Sequence, residues 1–224
     1  MEFIEILDKQ ADIDTLRDMY ENIFYPAFPN DDERESLENL AQYIQEGYEL
    51  ENRHIVCLKA ANALVGCMIL TYFHEADIGY ISYVAIDSKH RRKGYATAML
   101  KEGMRMLTQD AKMIGKSLKY IFGEISNDNP QSAHMLDRAG FKILDLDYIQ
   151  PPLGENKNAS DELNLVVLSN DHEGIPANDV KLFIKVFFQR ALSIPQHIKN
   201  KYINEMTERI GADAYIRLLN IIPD

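Results

Sequence analysis

The chain has 224 residues, 46% of them hydrophobic and 26% charged, with 35 acidic against 24 basic side chains and a formal charge of −11. Such a composition supports an ordinary globular core, and the acidic balance argues against an extended nucleic acid as partner, which would require a basic footprint. No apolar run approaches the roughly 20 residues that span a bilayer, and Met1-Glu2-Phe3-Ile4-Glu5 has neither the basic nor the apolar region of a signal peptide, so no membrane partner is expected and cytoplasm is the expected compartment.

Residues 2–7 alternate and predict a first strand. Residues 12–24 carry Ile13, Leu16, Met19, Tyr20, Ile23 and Phe24 at helical spacing. Tyr25-Pro26-Ala27-Phe28-Pro29-Asn30 is expected to break that helix, and a second helix resumes from Glu33 to Gln45 with Leu37, Leu40, Ala41 and Ile44 on one face. Apolar, β-branched or aromatic runs predict strands at 54–60, 64–73 and 78–87. The first two would form a hairpin turning at Ala61-Asn62-Ala63, which brings Cys57 near Cys67, both expected as reduced, packed thiols.

A helix is predicted from Gly94 to Leu107 and a strand from Lys119 to Ser126. A short helix follows from Pro130 to Ala139, with proline at its favoured first position and Gly140 at its end. Strands are predicted at 141–149 and 163–169, with a polar loop at 156–160 between them. Beyond Pro176 the pattern predicts helices only, in three stripes: Val180, Phe183, Ile184, Phe187; Ile198, Tyr202, Met206, Ile210; and Tyr215, Leu218, Leu219, Ile222. Their apolar faces need a core or a partner subunit, so they are expected to cap a site or to form a homodimer contact.

The most informative stretch is Tyr83-Val84-Ala85-Ile86-Asp87 followed by Arg91-Arg92-Lys93-Gly94-Tyr95-Ala96. A strand ends, a basic turn follows and a helix opens on glycine. Free backbone N–H groups, the helix dipole and cationic side chains then converge where a phosphate fits. The Walker A run is absent, and so is the three-glycine dinucleotide fingerprint. The competing reading is a solvated basic turn before an ordinary amphipathic helix.

Arg91-x-x-Gly94-x-Ala96 resembles the pyrophosphate loop of the GCN5-related N-acetyltransferase (GNAT) superfamily. The later stretch Glu124-Ile125-Ser126-Asn127-Asp128-Asn129, then Ser132-Ala133 and Ala139-Gly140-Phe141, is similar to a second motif of that family. Asn129 stands twelve residues before Phe141, as the family's asparagine does. The resemblance implies an α/β (α+β) fold: a mixed, mostly antiparallel sheet with splayed central parallel strands, here 78–87 and 119–126, flanked by helices. It implies an acyl-CoA-binding acetyltransferase domain over 1–172, with a C-terminal helical extension over 173–224.

Acetyl-CoA or a related acyl-CoA is the implied co-substrate, with no metal. Backbone groups of Val84, Ala85 and Ile86 would pair with the pantetheine amides. Arg91, Arg92, Lys93, Gly94, Tyr95 and Ala96 would hold the pyrophosphate, and Thr97 would add a hydroxyl. Asn129 would contact the pantetheine arm, cap the following helix, or do both. A backbone N–H near Val84 would stabilise the oxyanion. Glu124 is the candidate base, acting through water, with burial beside Tyr120 and Phe122 raising its pKa; a solvated strand-end glutamate is the competing reading.

Tyr25 and Phe28, with Tyr80 and Tyr83, would line the acceptor site; the two strand tyrosines could equally be core packing. The run Asp31-Asp32-Glu33-Arg34-Glu35 would favour an amine or simply suit a helix N-terminus. Where the family places an acidic tyrosine this chain has Leu136, which cannot donate a proton. Tyr148, His134 and Asp137 are poor substitutes. The expected activity is N-acetylation of a small-molecule amine. Alternatives are acetylation of a protein N-terminus or lysine, and an acyl-CoA-binding module whose catalysis has lapsed. His74, Glu75 and Asp77 could chelate a metal but read more simply as a polar turn.

Overall fold

The computed structural model describes residues 1–8, 12–45, 49–126, 128–154, 157–160, 163–170, 174–190, 192 and 194–222. Asn127 of the second motif and Asn156 of the expected polar loop lie outside the described residues. The chain divides into two compact units, Met1–Leu118 and Lys119–Asp224.

The first unit carries four antiparallel strands in chain order, β1 (Glu2–Glu5), β2 (Glu51–Ala60), β3 (Ala63–Phe73) and β4 (Ile78–Ile86). The β2–β3 hairpin turns at Ala61 and Asn62, both at positive φ, and sets Cys57 opposite Cys67 as free, buried thiols. Helices α1 (Ile13–Met19), α2 (Tyr25–Ala27) and α3 (Leu37–Gln45) precede β2, and α4 (Tyr95–Met113) follows β4. Leu16, Met19, Ile23, Phe24 and Leu40 form one core with Ile55, Cys57, Cys67, Ile69 and Ala85 of the sheet. The opposite face meets α4. A Cβ built on Gly103 of α4 would lie 2.8 Å from Met68 Sδ, and one on Gly66 of β3 would lie 2.9 Å from Met99 Sδ. Both faces of β3 are therefore covered, so its sequence is a continuous apolar run and not an alternation.

Two local expectations in this unit are corrected. The first helix does not break at Tyr25. A π-helical turn, Tyr20–Phe24, joins α1 to α2, with the Tyr25 N–H bonded to the Tyr20 carbonyl. Pro26 then falls at the start of a new turn, where its missing N–H leaves no gap, and helical geometry ends only at Phe28. The second helix starts at Leu37, four residues later than expected. A single 3₁₀ turn occupies Asp31–Glu33, Arg34 is extended, and Ser36 Oγ caps the helix by accepting the Asn39 N–H at 3.1 Å.

The second unit comprises β5 (Tyr120–Ser126), α5 (Pro130–Arg138), β6 (Lys142–Leu144), β7 (Leu163–Leu168), β8 (Gly174–Pro176), α6 (Ala177–Arg190), α7 (Gln196–Ile210) and β9 (Tyr215–Leu219). Its strands are ordered β5-β7-β6-β9-β8, and each of these neighbouring pairs is antiparallel. Phe183 of α6 stacks on Phe122 of β5 at 4.2 Å between centroids, and Phe187 continues the stack at 5.4 Å.

Two further expectations fail here. The strand expected over 141–149 has three residues, because the Leu146 N–H turns back to the Leu144 carbonyl at 2.8 Å and ends the ladder. The third C-terminal stripe is not a helix. Gly211, at φ 66°, stops α7, and Tyr215–Leu219 pairs with both β6 and β8. A five-residue apolar run satisfies either period, and available strand edges decided it.

One polar cluster ties the first unit together. His54 of β2 bonds Glu5 of β1 through Nδ1 and Asp110 of α4 through Nε2 at 2.8 Å, while Asn52 donates to Asp110 at 2.9 Å. Burial opposes the charged imidazolium, but the hydrogen bonds and charges of Asp110 and Glu5 outweigh it and raise the His54 pKa from 6.5 to about 9. Because the folded value lies above the unfolded one, this stabilisation is complete below pH 6.5 and is lost as pH rises through about 9. Urea denaturation should therefore show stability falling by ~1–3 kcal/mol between pH 6 and 9.5. His54→Gln should flatten that dependence. A wild-type curve already flat over the interval would refute the assignment.

Candidate active site

In the first unit the strand-to-helix turn takes the expected form. β4 ends at Ile86, and Asp87 opens a 3₁₀ turn, Ser88–His90, accepting the Lys89 N–H at 3.1 Å and the His90 ring at 2.9 Å. The Lys89 N–H and the His90 ring hold the Asp87 carboxyl below its usual range. Arg92 (φ 61°) and Gly94 (φ 79°) then take the left-handed region. For Arg92 that conformation costs about 1–3 kcal/mol, a kind of strain that concentrates at functional turns.

Gly94 is the N-cap of α4, and no side chain caps the helix. The N–H groups of its first turn have no intrahelical partner. A Cβ built on Gly94 would meet nothing within 4 Å, so the backbone there stands open. Arg91, Arg92 and Lys93 are exposed beside it. A diphosphate suits this donor set: aligned amides, a helix dipole and exposed cations with space in front.

Val84, Ala85 and Ile86 close β4, opposite Met68, Cys67 and Gly66 of β3. The β3–β4 register slips between Tyr83 and Ile81, so Ser82 is an extra, bulged residue. A bulge reverses the alternation beyond it. Tyr80, paired with Thr71, and Tyr83, paired with Ile69, therefore point to the same face although three residues apart. Their surroundings differ, since Tyr80 is only 3% exposed and belongs to the core. Tyr83 lies edge-on to Phe24 at 4.9 Å and to Phe28 at 5.0 Å, with its hydroxyl donating to the Glu33 carbonyl at 3.1 Å. Tyr25, 50% exposed, lies under the Arg34 guanidinium at 4.3 Å.

The role of Arg34 was not legible. Within the acidic run Glu35 is buried, at 5% exposure, and so is Arg34, at 7%. It donates to the Phe28 carbonyl at 2.5 Å, to the Tyr20 hydroxyl at 3.2 Å and to Asp31. The run is thus partly neutralised from within, and the aromatic loop is stapled to the π turn before it and the 3₁₀ turn after it. A lone cation among four acidic neighbours was the available signal. His74 and Asp77 have partners of their own in Asn52 and Lys116, and among the described residues no three His, Cys, Asp or Glu side chains gather to hold a metal ion.

In the second unit Glu124 lies on β5 opposite Leu165 of β7, half-buried. Tyr148 donates its hydroxyl to Glu124 Oε1, and Gln150 donates Nε2 to Oε2 at 3.3 Å. Sequence considered Tyr148 only as a stand-in acid; its hydroxyl is committed to Glu124. No local pattern signals that contact, because 24 residues separate the pair. Asn129 caps α5, accepting the Ser132 N–H at 3.1 Å, so its capping role is seen directly. Leu136 offers no proton, and His134 is exposed.

The family model described as "Acetyltransferase (GNAT) family" matches residues 14–141, and the chain belongs to that family. Solved structures share its fold, a mixed sheet flanked by helices. A GNAT-family protein from Bacteroides thetaiotaomicron is 20% identical, covering 76% of this chain and 88% of its own, at a TM-score of 0.59. Spermidine N-acetyltransferase from Vibrio cholerae, solved with CoA and spermine, is 14% identical, covering 74% and 94%, at 0.53. A ribosomal-protein-alanine N-acetyltransferase from Brucella melitensis is 15% identical, covering 74% and 99%, at 0.51. No curated protein sequence matches the chain. No described helix is long and apolar enough to cross a membrane.

Arg34→Ala should free the loop that carries Tyr25 and Phe28. The expected loss is about 2–3 kcal/mol, from charge-assisted hydrogen bonds broken at a buried site. Limited proteolysis should newly cleave within residues 28–36. Unchanged stability and an unchanged digest would show that the loop does not depend on this staple.

Proposed function

We propose that the chain is an acetyl-CoA-dependent N-acetyltransferase that passes acetyl directly to a primary amine of a small molecule, in the cytoplasm. The observation that carries this reading is the uncapped α4 N-terminus behind Gly94, with open space where a side chain would stand. In this reading the amides of residues 91–96 hold the diphosphate, aided by Arg91, Arg92 and Lys93, and Thr97 adds a hydroxyl. Val84, Ala85 and Ile86 offer backbone groups to the pantetheine amides. Asn129 keeps its amide nitrogen for the same arm while its oxygen caps α5.

The chemistry needs no covalent enzyme intermediate, because a thioester is already activated. An amine is mostly ammonium at neutral pH, so a proton must first leave it. Glu124 takes that proton through water. The neutral nitrogen forms the new C–N bond, and the Val84 N–H steadies the oxyanion. As the oxyanion collapses the C–S bond breaks. The nitrogen sheds its second proton, through water, to the departing thiolate, which leaves as the thiol of CoA. A thiol with pKa of about 8.5 is a tolerable leaving group without a positioned acid, which accommodates Leu136. Tyr25, Phe28 and Tyr83 form the acceptor wall, with Tyr80 behind them.

The motif around Glu124 also supports a second reading, acetylation of a protein N-terminus or lysine. Leu136 motivates a third, an acyl-CoA-binding module without turnover. A CoA-release assay over small amines, peptides with free N-termini and lysine peptides separates all three. Turnover on small amines supports the first reading, turnover on peptides the second, and binding without any turnover the third. Calorimetry should detect both CoA and acetyl-CoA; failure to bind either would remove every one of these readings. Glu124→Gln should lower turnover at least about tenfold and leave coenzyme affinity unchanged. A wild-type rate in that variant would take Glu124 out of the reaction.

A further inference from the structure

Glu124 is not held by its own strand alone. Tyr148, 2% exposed, and Gln150, 8% exposed, reach its two carboxylate oxygens separately. Two donors on two oxygens fix the rotation of the carboxylate and direct its remaining lone pairs. Burial first, then the charge and hydrogen bond of Glu124, pushes the Tyr148 phenol well above its ordinary range. Through the working pH range it therefore stays protonated and acts only as a donor.

The segment that carries both donors is not a strand, so it needs support from elsewhere. That support comes largely from the C-terminal extension. The Asp145 N–H bonds the Arg217 carbonyl of β9 at 2.9 Å, and Arg217 returns its guanidinium to Asp145 at 2.7 Å. Arg209 of α7 donates to the Asp147 carbonyl at 3.2 Å and pairs with its carboxylate. The Ile149 N–H points at Met206 Sδ of α7, 3.4 Å away. Gln150 is bridged through both backbone groups to Ser160, at 2.8 and 2.9 Å.

We infer that Tyr148 and Gln150 are positioning residues for Glu124, and that α7 and β9 hold the 145–150 segment in place to that end. The inference rests on the reading of Glu124 as the base. It gives the C-terminal extension a role inside the second unit, where the sequence suggested a lid or a dimer contact. The charged neighbours of the bracket are paired among themselves: Asp145 with Arg217, Asp147 with Arg209, and the Tyr120 hydroxyl, on the Glu124 strand, with Asp179 of α6. The β7 residue opposite Glu124 is the apolar Leu165. Among the described residues, Tyr148 is thus a titratable side chain set directly against the carboxylate.

The test is Tyr148→Phe in the full chain, read two ways. The carboxyl carbon of Glu124 is followed by NMR in protein carrying ¹³C-labelled glutamate, its signal assigned by its loss in Glu124→Gln. Removing a donor disfavours the ionised form, so the Glu124 titration should move to higher pH by about one unit. The acidic limb of the kcat/KM profile, on the best acceptor of the panel, should move with it, while CoA affinity stays within about twofold. Arg209→Ala, altered at the outer support, should shift both in the same direction by less. A folded Tyr148→Phe protein whose Glu124 titrates as in wild type would overturn the inference. Should that variant fail to fold, Gln150→Leu and Arg209→Ala read the same resonance, and two unshifted titrations would overturn it equally. Full turnover in Glu124→Gln would instead strike down the base itself, and with it this role, even if the bracket shifts the resonance.

Discussion

The direction of α4 is the constraint on which the first unit depends. An amphipathic helix packs on a sheet wherever apolar area is buried, but glycines at the contact decide how closely and in which orientation. Gly103 lets the helix settle on Met68, and Gly66 admits Met99 over β3. Once the axis is fixed, the first-turn amides of the helix can point in one direction only. The turn before it inherits the consequence, with Arg92 and Gly94 both at positive φ so that the chain leaves β4 and enters the helix within a few residues. The geometry of this turn is thus a product of packing at Met99 and Gly103, further along the same helix.

A second constraint operates in the other unit. A half-buried carboxylate must find hydrogen-bond donors, or it becomes costly to ionise. β5 cannot supply them, because its backbone is engaged with β7 and the residue opposite Glu124 is leucine. The donors come from residues 148 and 150, and that stretch has no ladder of its own. Its backbone groups are satisfied by β9, α7 and Ser160. A polar demand at one strand thereby draws in the last helix and the last strand of the chain.

Much of the architecture was legible. Strands β2 to β5 and β7, with helix α5, rest on long apolar patterns and on glycine and proline at places that local geometry dictates, and they stand within a few residues of expectation. Helix α4 opens where expected but runs on to Met113, six residues past Leu107. The turn between β4 and α4 was legible for the same reason: its requirements are local, a strand end, a positive-φ glycine and basic neighbours. The Cys57–Cys67 register and the Asn129 cap follow from short-range rules too. The errors fall where a short segment satisfies two periods. Tyr215–Leu219 reads as helix or strand, and a free sheet edge settled it. Pro26 looked like a breaker until a π turn gave it a position where no N–H is needed.

What the sequence determined by itself is the set of local devices: which long runs bury a face, where glycine and proline punctuate the chain, and where a strand-to-helix turn leaves backbone amides open. Their physics is contained within a few residues of chain. What only the tertiary structure decided is which distant side chains share a site. Arg34 staples the aromatic loop, His54 joins β1 to α4, and Tyr148 and Gln150 bracket Glu124 from 24 and 26 residues away. Each contact depends on the register of paired strands or the path of a loop. A hydrogen bond needs its partners placed to within a few tenths of an ångström, and no residue pattern encodes that across such separations.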